Sequence, residues 1–159
     1  MKLNQQLQNL VDEAPNYGVP AVIMESGVVP IIHVFAQQLD HSEYYLRQTI
    51  EKNLLLTILG NPDDPSVEKK VIYAFPTVKD AQNFPHSDID DQANMVAEGL
   101  PVTQILFQMF TMKGVDSVIF LDKPEDYKQS KEIYCHKLQS AIKQNLTNLV
   151  KVDPPTTIA

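Results

Sequence analysis

Lys70-Val71-Ile72-Tyr73-Ala74-Phe75-Pro76 is the stretch on which the fold turns. Its apolar residues run without alternation and stop at a proline that cannot donate to a ladder. That pattern predicts a strand covered on both faces, central in its sheet. A second run, Asp116-Ser117-Val118-Ile119-Phe120-Leu121, predicts another strand. Nearer the N-terminus, Ala21-Val22-Ile23-Met24 and Val28-Val29-Pro30-Ile31-Ile32-His33-Val34-Phe35 are rich in β-branched residues and divided by Ser26-Gly27. They predict a hairpin, with Pro30 at an edge or a bulge.

Helical spacing fills the intervals. Leu3, Leu7, Leu10 and Val11 share a face over 2–13, and Pro15 stops that helix. Asp40-His41-Ser42-Glu43 has the form of a capping box and predicts a helix to about Leu59, ended by Gly60-Asn61-Pro62. N-terminal caps at Thr77 and Ser87 predict short helices near 78–84 and 88–98. Pro101 opens a helix to about Lys113, and Asp122 and Pro124 open a last one reaching Val150. The expected fold is therefore α+β: a mixed sheet of about four strands with an N-terminal β-hairpin, and helices packed mainly on one face. The length of 159 residues suits one domain over 1–150, and 151–159, with Pro154-Pro155, is expected as a disordered tail.

Composition excludes several classes of partner. Twenty acidic residues against 13 basic ones give a net charge of −7, and the cations are scattered along the chain. A basic footprint that neutralises phosphates is missing, which argues against nucleic acid. Neither a membrane-length apolar run nor a signal-peptide pattern is present, so no membrane is expected as partner and the expected location is cytoplasmic. The single cysteine, Cys135, agrees with that compartment, and its place beside Leu138 and Ile142 predicts a buried, inert thiol.

The five glycines, Gly18, Gly27, Gly60, Gly99 and Gly114, all read as ends of elements, leaving none for a phosphate-cradling loop. Phe84-Pro85-His86-Ser87-Asp88-Ile89-Asp90-Asp91 brings an imidazole and three carboxylates together, and these residue types ligate divalent cations. The same residues serve a helix start, where Ser87 caps and the aspartates meet the positive end of the dipole. Adjacent aspartates on a helix diverge by about 100°. No metal or cofactor is therefore expected. His136 and Cys135, as neighbours on one helix, also point apart and cannot form a thiolate–imidazole pair.

The helix from Pro101 to Lys113 is apolar over more than half its circumference. One reading sandwiches it between sheet and helix; the other covers part of it with a second subunit, which makes Phe107, Phe110 and Met112 candidate interface residues and the protein a homo-oligomer. Three functions follow from these features. A non-catalytic, cytosolic protein-interaction or chaperone-like domain acting through an apolar helical surface needs no unobserved motif, and is preferred. A metal-assisted hydrolase would centre on His86 and the nearby aspartates. A small-ligand sensor would have its pocket near His33 and Tyr73.

Overall fold

The run at 70–76 forms the inner half of a twelve-residue strand, β3 (Asp64–Phe75), in a computed structural model that describes residues 2–61, 63–84 and 95–152. Its inner residues are buried by turns on opposite faces: Ile72 and Ala74 on one, Val71 and Phe75 on the other. The run at 116–121 becomes β5 (Ser117–Lys123), parallel to β3 with Val71 opposite Ser117 and Ala74 opposite Phe120. Around this pair stand β1 (Glu43–Thr49), β2 (Thr57–Asn61), β4 (Met95–Pro101) and β6 (Asp126–Tyr134). The order is β4-β1-β3-β5-β6, with β2 also pairing β3. All pairs but β3–β5 are antiparallel, so the sheet is mixed, as expected, but with six strands instead of about four.

Helices cover one face. They are α1 (Leu3–Glu13), α2 (Ala21–Ile23), α3 (Val29–Ala36), α5 (Val102–Thr111) and α6 (Cys135–Val152). Their apolar sides close over Tyr44, Leu46, Ile72, Ala74, Val118 and Phe120. Among the described residues only the six-residue α4 (Val78–Asn83), capped by the Thr77 hydroxyl accepting from the Asp80 N–H at 3.1 Å, lies against the other face. None of the helices among the described residues is long and apolar enough to cross a membrane.

The expected N-terminal hairpin is helical. Met24, Val28, Ile32 and Ala36 are all buried while Val22 and Val34 are exposed, a stripe of period four that the β-branched texture concealed. On a regular helix such a stripe drifts by about 40° per step. A π turn at Met24–Val28, wider than an α turn, takes up part of that drift. Pro30 sits in the first turn of α3, where its missing N–H leaves no bond unmade. Gly27 lies against Leu146 of α6, leaving no room for a Cβ, and the Asn145 amide donates to the carbonyls of Ser26 and Gly27 at 3.1 Å each.

Three further expectations are corrected. The segment expected as a helix from 43 to 59 is β1, a turn through Lys52 at φ 69°, and β2. Because β1 is covered on both faces, it shows no polar alternation. Its supposed capping box is not used, and Asp40 instead meets Lys131 at 3.0 Å. Residues 95–101, at the end of the expected 88–98 helix, pair with all of β1 as β4, and Gly99 lets the Tyr45 ring pass where a Cβ would come within 2.8 Å of it. The expected helix from 124 to 150 divides: β5 turns through Glu125 at φ 63° into β6, and only 135–152 is helical, roughly 27 Å long at the usual rise. That length projects nowhere beyond a domain of this size. α6 runs two residues into the expected tail, and 153–159 lie outside the described residues.

Gln6 ties the helical layer to the sheet. Its carbonyl accepts from the Thr103 N–H and hydroxyl at 3.2 and 3.1 Å, and its amide donates to the Ser42 carbonyl at 2.8 Å. Gln6→Leu keeps the volume but strands these buried groups, so the unfolding free energy should fall by about 2–3 kcal/mol. Urea denaturation measures it, and a midpoint unchanged from the parent would show that these bonds hold nothing together.

Candidate functional site

Arg47 is the chain's sole arginine, every other one of the 13 basic residues being lysine. It projects from β1 toward the face that α4 covers, and it is 3% exposed. Its guanidinium lies 5.2 Å from the ring centroid of Phe75 on β3 and 5.2 Å from that of Phe84, which follows α4. Tyr73 closes the group, 4.6 Å from Phe84 and 6.2 Å from Phe75, and Tyr127 of β6 stands edge-on to Phe84 at 5.0 Å. The aromatic faces answer the cation in part, at about 1–2 kcal/mol per desolvated contact. They offer no oxygen or nitrogen acceptor, and Nη1 is buried with no partner among the described residues.

Removing a charge from water costs several kcal/mol when no counter-charge replaces the solvent. The electrostatics carry that signature: burial holds the Arg47 guanidinium below its ordinary pKa, with only the Tyr73 phenol acting against it. The Tyr73 phenol is itself raised, chiefly by burial, so it remains neutral and cannot serve as the counter-ion. Lys69, the nearest cation named on this face, already meets Glu132 at 2.8 Å.

A second unpartnered group lies close by in the fold. Asp80 on α4 is 3% exposed, and its Oδ1 accepts from the Glu125 N–H at 3.0 Å, holding the left-handed turn between β5 and β6. Its Oδ2 is buried without a partner. The Phe84 N–H donates to the Asp80 carbonyl, so Asp80 stands one helical turn from the ring that stacks on Arg47. No ion pair joins Arg47 to Asp80 among the described residues.

The residues expected from the sequence fall elsewhere. His33 lies in the last turn of α3, within the helical layer, while Tyr73 packs on the opposite sheet face, so no pocket forms between them. His86 and the aspartates at 88, 90 and 91 lie outside the described residues, and no group of three metal-ligating side chains occurs among those described. His41 donates from Nε2 to the Asp122 carbonyl at 2.6 Å, and His136 is exposed beside Tyr134. Phe107 is 8% exposed and packs its ring 4.9 Å from that of Tyr17, whereas Phe110 and Met112 are half-buried at the edge of the helical core. A shallow cleft between α1 and α5, lined by Asn9, Leu10, Glu13 and Gln104 among others, has Gln6 on its floor, already engaged with Thr103.

Sequence reasoning passed over Arg47 because its neighbours were assigned to a helix. One signal was available: a lone arginine in a chain that otherwise uses lysine, following directly on Tyr44-Tyr45-Leu46. Arginine's flat fork suits bidentate recognition and aromatic stacking as lysine does not. Asp80 left no signal beyond its place in a helix's first turn. No family model, curated protein or solved structure matches the chain.

Cys135 takes no part in any such site. It is buried, and burial with the nearby Asp116 carboxylate pushes its thiol up to about 11. At pH 8 the folded protein should react with a disulfide reagent at least about tenfold more slowly than the urea-unfolded chain. Equal rates would mean that the thiol is open to solvent.

Proposed function

We propose that this chain is a non-catalytic, cytosolic binding module whose recognition element is Arg47, and that the group it captures is anionic. The observation that carries the reading is the guanidinium of an arginine 3% exposed, held between two aromatic rings, with a buried N–H that no group among the described residues accepts. Such a charge destabilises the empty protein, and an anion that enters regains the lost interaction in a low-dielectric setting. A catalyst would need a nucleophile or a base facing the same space. Among the described residues the ionisable groups neighbouring the rings are Tyr73, Tyr127 and Asp80, with Lys69 held by Glu132, and two phenols and a carboxyl group tied to a backbone N–H suit recognition.

Arg47→Met replaces the cation with an apolar chain of similar reach. Without added anion the variant should be as stable as the parent or more so, by about 1 kcal/mol, because the desolvated charge is gone. In millimolar carboxylate or phosphate the parent should gain several degrees in unfolding temperature, as a ligand that binds only the folded state requires. The variant should gain none. A parent indifferent to every anion, together with a variant that no longer folds, would make Arg47 a packing residue and end this reading.

A second reading concerns self-association through the helices. Val22, Ile23 and Val34 are exposed on that layer, and Phe110 and Met112 are only half covered. We propose that a second copy covers Phe110 and Met112 in a homo-oligomer. Phe107 is too deep to serve as a probe: Phe107→Asp should unfold the chain by burying an unpaired charge. Phe110→Asp combined with Met112→Gln should instead give a folded monomer. Light scattering with circular dichroism distinguishes these results, and a parent that stays monomeric at high concentration refutes the oligomer.

A further inference from the structure

We infer that the ligand is a zwitterion, its carboxylate taken by Arg47 and its ammonium by Asp80. The inference rests on the anion reading of Arg47 and adds a second, independent observation. Two buried groups of opposite sign are each left with an unmet hydrogen-bonding atom, Arg47 Nη1 and Asp80 Oδ2, on the same side of the sheet. One needs an acceptor and the other a donor.

They do not satisfy one another, since no ion pair joins them among the described residues, and Phe84 relates the two positions. Its ring stacks on the guanidinium, and its backbone N–H is bonded one turn back to Asp80. A molecule reaching both groups would run along aromatic surface formed by Tyr73, Phe84 and Tyr127, which suits an apolar spacer and also favours a cation near the rings.

Charge decides against the simpler ligands. A phosphate dianion would bring two negative charges to Arg47, the one cation at the rings without an acidic partner among the described residues, with Lys69 held by Glu132 and the Asp80 carboxylate close by, on a chain of net charge −7. A monocarboxylate would answer Arg47 but leave the Asp80 oxygen stranded. A small zwitterion adds no net charge and supplies one acceptor and one donor, completing both groups at once.

Asp80→Asn is the informative variant, because its side-chain oxygen can still accept from the Glu125 N–H and hold the turn while the unmet acceptor becomes an amide donor. The full chain is titrated, by thermal unfolding and calorimetry, with L-leucine, L-phenylalanine, β-alanine and 4-aminobutyrate. Each is set beside the acid lacking its amine and the amine lacking its carboxylate, and inorganic phosphate is included. At least one zwitterion should bind about tenfold or more tightly than either of its fragments, as loss of a buried charged contact implies. Asp80→Asn should lose that margin while binding the deamino acid about as well as the parent does, and Arg47→Met should bind neither. A deamino acid or phosphate that binds as well as every zwitterion, or an Asp80→Asn variant that retains the full margin, overturns the zwitterion and leaves the anion reading standing. A parent that responds to no carboxylate, zwitterion or phosphate overturns both.

Discussion

The parallel pairing of β3 with β5 organises everything else in this protein. Val71, Ile72, Ala74 and Phe75 are all buried, and so are Val118, Phe120 and Leu121 across from them, with alternate residues facing opposite layers. A strand pair apolar on both sides must be covered on both sides. Five helices supply one cover. The other consists, among the described residues, of α4, the Phe84 ring and the aromatic residues of the sheet itself. The candidate site lies in this second cover, where two buried polar atoms have no partner among the described residues.

The two layers also differ in how they treat polarity. In the helical layer the buried Gln6 meets Thr103 and Ser42, and the half-buried Gln139 donates to the carbonyls of Met109 and Met112. On the opposite face, Arg47 and Asp80 are as deeply buried and each lacks a partner at one atom. Native proteins leave few such groups unmet, because each costs about 1–3 kcal/mol, more when charged. Their concentration in one small region, around one aromatic cluster, is the reason for assigning that region a ligand.

Several sequence expectations failed for one shared reason. The capping-box pattern at 40–43 and the Gly60-Asn61-Pro62 stop predict a helix to about Leu59, but a strand covered on both faces carries no alternation to mark it. The opposite error occurred at 21–36, where β-branched residues suggested strands and the period-four burial of Met24, Val28, Ile32 and Ala36 marked a helix widened by a π turn. At 126–134, β6 lies inside the span that Asp122 and Pro124 predict as helix, because the register with β5 that makes it a strand is not displayed by the chain order. Propensity is a weak prior, and packing against a partner strand overrode it in each case.

What the sequence determined by itself was local and one-dimensional: the two apolar runs that became β3 and β5, the helices at 3–13 and 102–111, the Thr77 cap of α4, the buried thiol of Cys135, and the acidic balance. Each depends on spacing or composition within a few residues, which the chain order displays directly. The candidate site could not be read in that way. Arg47, Phe75, Asp80 and Phe84 come from β1, β3, α4 and the residue after it, and what makes them a site is that two are charged, buried and unmet. Burial and missing partners are properties of what surrounds an atom in three dimensions, so only the tertiary structure decided which charges would be buried without a partner among the described residues.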